Sequence, residues 1–282
     1  MGSAMKKAIQ LTAYDCLDYC FMQKVKQAGF DGVDFTFYSG FFGEKDLDRT
    51  LEQVGINLER AGLSCPQVHL PCYDIFASSE LYLEEIESRI HYALAAMARL
   101  GAKWGAFHPL SATNFAYDRK RALYDNVEKI KGYLDTAEKY GVGIAVENIP
   151  VFPDCPQHSF YTSKSEDLCE LIDRLDHPLV GGCWDIGHAH LNVAERDEIG
   201  AIHRLGSRIK ILHVHNNYTN MDWHLCPAFG TVEWKKIRCA LRDIGYQGYF
   251  SLEATIGRKN KEIKNAVVEF CGQVADTILT SA

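Results

Sequence analysis

Short runs of β-branched and aromatic residues alternate along the chain with longer stretches in which apolar positions recur every third and fourth residue. The short runs fall at 8–11, 32–37, 64–70, 104–108, 143–147, 180–185, 209–215 and 249–253, and they predict eight strands. Between them, segments such as "LYLEEIESRIHYALAAMARLG" and "RALYDNVEKIKGYLDTAEKYG" predict amphipathic helices, each followed by a glycine suited to a helix stop. A helix ending in Gly, a few residues, and then a strand recurs at "QAGFDGVDF", "RAGLSCPQVHL", "RLGAKWGAFH", "KYGVGIAVE" and "DIGYQGYFSLE". This alternation implies parallel strands joined by crossover helices, and eight such units in 282 residues predict a closed α/β fold, the (β/α)8 TIM barrel. A doubly wound open sheet is the rival, but no GxGxxG follows the first strand to support its usual dinucleotide site.

Composition narrows this further. With 47% hydrophobic residues and neither linkers nor low-complexity segments, the chain (1–282) is expected to form one domain; the opening "MGSAM" (1–5) has the look of a vector-encoded remnant. A formal charge of -7 argues against broad electrostatic capture of nucleic acid or an anionic membrane. No run approaches the ~18 apolar residues of a membrane span. The ten cysteines (Cys16, Cys20, Cys65, Cys72, Cys155, Cys169, Cys183, Cys226, Cys239 and Cys271) form no CxxC pair and sit in largely apolar stretches. They are read as reduced thiols of a cytoplasmic protein and as bystanders to the chemistry.

The chemistry gathers at the predicted strand ends. In such a barrel, side chains at the carboxyl ends of the strands converge on one face. The third to eighth strands end in His69, His108, Glu147, Asp185, either His213 or His215, and Glu253. A lone histidine there is more often a satisfied rim residue than a ligand, but six such ends in succession are not expected of strands facing only water. Imidazoles and carboxylates crowded in one mouth would repel or stay unpaired without a cation among them. A set without thiolates suits Zn2+, Mn2+, Fe2+ or Co2+ and disfavours Ca2+. "CWDIGHAHL" adds His188 and His190 after Asp185, and "MDWHL" places Asp222 two residues before His224, a spacing that in extended chain points both side chains the same way.

These marks resemble the xylose isomerase-like barrel superfamily over nearly the whole chain: "VHLP" at His69, "AFHP" at His108, "AVENIP" at Glu147, "WDIGHAHL" at Asp185 and His188, "ILHVHNN" at His213, "DWH" at Asp222 and His224, and "SLEA" at Glu253. That superfamily holds sugar and sugar-phosphate isomerases and epimerases together with nucleases of the endonuclease IV type. In the nuclease branch nine ligands hold three zinc ions, and each has a matching residue here. The resemblance implies one ion on His69, His108 and Glu147, a central ion on Glu147, Asp185, His213 and Glu253, and a third on His188, Asp222 and His224. It favours His213 over His215 because Lys210, three residues earlier, also has a counterpart. His215, Lys210 and His190 remain as substrate-binding or supporting residues.

In the isomerase and epimerase branch a single Mn2+ or similar ion lies on the central four residues. The resemblance implies that Glu147 and Glu253, matching that branch's two glutamates, pass a proton on opposite sides of a metal-stabilised enediolate. Around the ligands the chain departs from the nuclease pattern: "PCYDIF" follows His69, "NIPVFP" follows Glu147, and "AFG" stands where the nucleases have GEG. The loops "YSGFFGEKD", "SATNFAYDRK" and "NNYTNMD" are aromatic and polar but sparsely basic, which suits a sugar better than several phosphates. The expectation is therefore a sugar or sugar-phosphate isomerase or epimerase with one to three zinc or manganese ions. The alternatives are a trinuclear-zinc phosphoesterase or abasic-site nuclease, and a non-catalytic sugar-binding barrel. Lys210 and Arg258 are the candidate partners for an anionic group, and a homodimer is expected by analogy with such barrels.

Overall fold

The computed structural model describes residues 5–38, 40–72, 80–110, 118–154, 160–257 and 260–281. Its strands are β1 (Lys7–Thr12), β2 (Gly32–Thr36), β3 (Ser64–His69), β4 (Trp104–Phe107), β5 (Gly143–Glu147), β6 (Val180–Asp185), β7 (Ile209–His213) and β8 (Phe250–Leu252). They form one parallel sheet in the order β7-β6-β5-β4-β3-β2-β1-β8. β7 and β8 complete the ring just beyond β7, where Val214 N donates to Ser251 O at 2.8 Å and Glu253 N donates to Val214 O at 3.0 Å. The protein is thus a (β/α)8 TIM barrel, as the alternation of periods predicts.

β7 stops at His213, two residues short of the expected span, and β8 is trimmed at both ends to three residues. The reason is visible at Asn216, which leaves the parallel sheet and exchanges two hydrogen bonds with Leu225, turning the chain into the loop that carries Asp222 and His224.

Alternation along each strand divides the side chains between two environments. One set, including Ile9, Val33, Phe35, Val68, Phe107, Ile144, Val146, Trp184, Leu212 and Leu252, packs outward in the main core with the helices. The other faces the barrel axis, where Ala106, Ala145, Cys183 and Ile211 form a small apolar layer. Two residues further along β5, β6 and β7, the same inward face presents Glu147, Asp185 and His213. The apolar floor therefore lies directly beneath the polar mouth, a low-dielectric base for charged groups.

The helices are punctuated as their sequences suggest. Asp118 caps the helix Arg119–Tyr140, and Gly141 ends it with φ 63°, a conformation that costs glycine little. Among the described residues no helix is long and apolar enough to cross a membrane.

Candidate metal centre

The segment "WDIGHAHL" shows how local structure builds the site. Asp185 ends β6 and caps the short helix Ile186–Leu191: its Oδ1 accepts a hydrogen bond from His188 N at 2.6 Å. Asn148, next to Glu147, holds the same residue from both sides, accepting from Asp185 N at 2.6 Å and donating to Asp185 O at 2.9 Å. Asp185 Oδ2 has no hydrogen-bond partner among the described residues and is fully buried. One carboxylate oxygen is thus committed to the fold and the other is left for a ligand.

Four residues from four strand ends meet here. Donor atoms of Glu147, Asp185, His213 and Glu253 all lie within 4.8 Å of one another. His213 Nδ1 sits between the two glutamates, 3.1 Å from Glu147 Oε1 and 2.9 Å from Glu253 Oε2. Its other nitrogen, Nε2, is 3.2 Å from Oδ2 of the buried Asp34, bent away from straight hydrogen-bond alignment. That same oxygen accepts hydrogen bonds from Gln67 Nε2 at 2.6 Å and Ser251 Oγ at 2.9 Å. A carboxylate behind a ligand histidine orients the ring and strengthens it as a donor.

On one side of this group lie His69 and His108, with Nε2 atoms 3.2 Å apart and Glu147 Oε2 at 3.7 and 3.3 Å from them. His69 Nδ1 is tied to Leu70 O at 2.8 Å, which makes Nδ1 the donor and turns Nε2 toward the site. On the other side lie His188, Asp222 and His224. Asp222 Oδ2 is 3.3 Å from His188 Nε2 and 3.2 Å from His224 Nε2. Both rings anchor Nδ1 on backbone carbonyls, His188 on Asn148 O at 2.9 Å and His224 on Glu253 O at 2.9 Å. Asp222 and His224 converge through a left-handed turn, φ 46° at His224, rather than through extended chain.

All nine residues singled out for metal binding are brought to the mouth. Three other candidates have different placements. His215 joins the outer group, its ring stacked on His224 with centroids 4.1 Å apart and its Nε2 3.1 Å from Asp185 Oδ1. His190 is taken up by Glu198 Oε1 at 2.6 Å and Thr231 Oγ1 at 2.7 Å, in keeping with a supporting place. Lys210 lies near the start of β7, donating to Ser207 O at 2.8 Å with Trp104 beneath it, so it is not brought to this mouth. Arg258 lies outside the described residues. Phe41 and Phe42 pack edge to face with Phe35, Phe37 and Tyr92 as part of the rim.

Cys72 departs from the reading of the thiols as bystanders. Its sulfur is 3.7 and 4.0 Å from the two ring nitrogens of His69, and it clusters with His69 and His108. Cys183 also lies within ligand distance of Glu147 and His213. Asp34, Gln67, Asn148 and Ser251 are further contributors that strand-end reasoning passes over; the one sequence signal is the polar residue inside an otherwise apolar strand, as in "GVDFT".

The buried imidazoles and carboxylates of the mouth shift one another's protonation. Burial pushes the Glu147 carboxyl up, but His213 and His108 hold it well below the usual carboxylate range. Glu253 is lowered likewise, with burial opposed by His213 and then His224. Burial disfavours charge on His188, yet Asp185 and Asp222 raise it to about 10; His224 is raised against burial to about 9 by Asp222 and Glu253. Glu147 Oε2, Asp185 Oδ2, Asp222 Oδ1 and Glu253 Oε2 are all buried oxygens without hydrogen-bond partners among the described residues. Buried carboxylates left so are costly unless paired, and a divalent cation fits this donor set.

Fold and site together define a class: a (β/α)8 barrel whose carboxyl-terminal mouth gathers imidazoles and carboxylates of metal-ligand type. The profile of the family described as xylose isomerase-like TIM barrel matches residues 22–270, and the chain belongs to that family. The D-psicose 3-epimerase of Ruminiclostridium cellulolyticum is 26% identical over 240 residues, 83% of this chain and 76% of that protein. An uncharacterized protein of Methanocaldococcus jannaschii is 29% identical over 145 residues, 51% of this chain. The chain spans 46% of the length of that protein and 66% of a second one from the same organism. Among solved structures, a D-tagatose 3-epimerase-like protein superimposes with a TM-score of 0.75 at 20% identity, covering 96% of this chain and 97% of that one. The 3-keto-D-glucoside 4-epimerase from E. coli gives 0.73 at 19%, covering 95% and 99%. At these identities the structural likeness is one of fold.

Proposed function

We propose that the protein is a divalent-metal-dependent epimerase or isomerase of a free sugar, with Glu147 and Glu253 as its proton-transfer groups. The observation that carries this reading is the meeting of Glu147, Asp185, His213 and Glu253 donor atoms within 4.8 Å, with two glutamates from different strand ends 3.1 and 2.9 Å from His213 Nδ1. Relatives with the names of sugar epimerases support it. When bound, a divalent ion would supply Lewis-acid stabilisation of the negative charge that develops as a proton leaves the carbon beside a carbonyl. The rest falls to the chain. Two carboxylates on opposite sides of one substrate carbon allow removal of the proton from one face and its return to the other, which inverts the centre. Asp34 stands behind His213, and Asn148 fixes Asp185.

The adjoining cleft favours an unphosphorylated substrate. About 620 Å³ in volume, it opens beside Asp222, His224 and Glu253 and is lined by Tyr14, Tyr38 and Trp223, flat rings suited to sugar faces. Among the described residues lining it, the one lysine or arginine, Lys264, is buried and ion-paired with Asp15. A phosphate would meet Asp15, Asp222 and Glu253 with no uncommitted lysine or arginine from that lining.

The test is incubation of the manganese-loaded protein with D-psicose, D-tagatose and D-fructose in deuterated water. Turnover of a ketose should place deuterium at the inverted carbon. Glu147→Gln and Glu253→Gln should each lower the rate by ~10²- to 10⁴-fold, with bound metal measured alongside. Exchange that persists in both variants would remove the glutamates from proton transfer. The assembly of His69 with His108, and of His188 with Asp222 and His224, is what favours the phosphoesterase reading; it predicts turnover of phosphate esters or abasic DNA by zinc-loaded protein and none of the ketoses.

A further inference from the structure

We propose that Cys72 completes a second, thiolate-bearing metal site with His69, His108 and Glu147, selective for zinc, beside the central carboxylate-rich site. The proposal concerns the chain's own ligand set and holds whatever reaction the central site performs.

Cys72, His69 and His108 form one close group of donors, with the sulfur 3.7 Å from His69 Nδ1 and 4.0 Å from Nε2, and Glu147 Oε2 lies against the two imidazoles. With Zn–N near ~2.05 Å and Zn–S near ~2.3 Å, tetrahedral ligands stand ~3.4 Å apart for nitrogen pairs and ~3.6 Å apart for sulfur and nitrogen. His69 Nε2 and His108 Nε2 are 3.2 Å apart, and Cys72 Sγ is 4.0 Å from His69 Nε2. Glu147 Oε2 is 3.3 Å from His108 Nε2 and 3.7 Å from His69 Nε2. Each of these edges is within a few tenths of an ångström of the tetrahedral value, and the Cys72, His69 and His108 donors all fall within 4.8 Å of one another.

Two further observations point to a ligand. Glu147 Oε2 is a fully buried carboxylate oxygen with no hydrogen-bond partner among the described residues, aimed at this cluster while Oε1 faces His213. His69 is held in the tautomer that presents Nε2, because Nδ1 donates to Leu70 O. Thiolate and imidazole donors select zinc, whereas the central set of three carboxylates and one imidazole suits harder ions such as Mn2+. The thiol proton is released to solvent on binding. Glu147 then spans the two sites, one oxygen to each, so the zinc positions a carboxylate of the central group.

The experiment uses the whole chain, with zinc alone and cobalt alone as probes, in the parent and in Cys72→Ser, Cys183→Ser and Cys20→Ser. Cys183 lies against Glu147 and His213 and is the rival thiolate, and Cys20 is exposed in the helix Tyr19–Gln27. Cobalt-loaded parent, Cys183→Ser and Cys20→Ser should show near-ultraviolet sulfur-to-cobalt charge-transfer absorption, and Cys72→Ser should lack it. Cys72→Ser should also lose about one equivalent of tightly held zinc. Cys72→Asp should regain that zinc without the sulfur band, which separates a ligand role from a packing role. A band that survives Cys72→Ser, a band lost in Cys183→Ser, or a cobalt-bound parent without the band each overturns the proposal. None of these readouts uses turnover, so a failure here is distinct from failure of the epimerase reading.

Discussion

Asp34→Asn is the sharpest perturbation of the central site because it removes charge while nearly preserving shape. Three groups converge on Asp34 Oδ2: Gln67 Nε2 at 2.6 Å, Ser251 Oγ at 2.9 Å and His213 Nε2 at 3.2 Å. An asparagine can place its oxygen where Oδ2 stands and keep both shorter bonds, so the ring of His213 keeps its seat. What disappears is the carboxylate behind the imidazole. Loss of such a partner typically weakens metal binding by ~10- to 100-fold, equivalent to about 1.4–2.7 kcal/mol. The amide nitrogen would occupy the place of Oδ1, which has no hydrogen-bond partner, and a buried donor without one costs stability by about 1–3 kcal/mol. The two effects separate by assay: metal affinity by competition with a chromogenic chelator, stability by denaturant unfolding of the chelated protein. A folded variant that binds Mn2+ within about twofold of the parent would refute the role given to Asp34 here, since it falls far short of the ~10-fold floor.

Two other outcomes follow from the geometry. Gly187→Ala should destabilise the protein by about 1–3 kcal/mol and weaken binding at the outer cluster, because the added Cβ would lie 2.0 Å from Cε1 and 2.2 Å from Nδ1 of the His215 ring; unchanged denaturant midpoint and zinc stoichiometry would contradict this. Metal loading should release protons. His69 is raised to about 9, where burial is outweighed by Cys72 and Glu147, and His188 and His224 are raised to about 10 and 9. At neutral pH these rings are charged in chelated protein and must deprotonate to ligate. Affinity should therefore climb as pH rises from neutral towards 9–10, and the calorimetric enthalpy should vary with the buffer's ionisation enthalpy; no buffer dependence would refute it. The linked stability has the opposite sign. Folded values above the ordinary ~6.5 stabilise the chelated protein fully below that pH, and this contribution fades as pH rises through 9 to 10.

The barrel is legible in the sequence because its signals are local: period-two runs, helical runs and glycine stops repeat in a fixed order. The metal-type residues are legible for a related reason, since a barrel brings its strand ends together whatever the details of packing. Cys72 is harder to read because it follows β3 in a loop, where no periodicity says which way a side chain turns. Asp34 stands on an inward position of β2, distant in sequence from His213, and reaches it only across the closed barrel. Asn148 is hidden by its neighbour: its adjacency to Glu147 suggests a ligand's companion, but its partner is the backbone of the next strand.

The choice between His213 and His215 shows what strand geometry adds. Both alternate onto the inward face, so residue identity alone leaves either as the ligand. In regular strand, two residues advance the chain by ~6.6 Å, whereas two donors on one ion stand less than ~4 Å apart. Alternation that points both rings inward therefore disfavours their sharing an ion. The structure separates them accordingly: His213 is deep, between Glu147, Glu253 and Asp34, while His215 stands further along beside His188, Asp222 and His224. Gly187 makes the second position available, since any side chain there would fill the space of the His215 ring. The glycine within "WDIGHAHL" is thus as much a part of the outer cluster as the histidines around it.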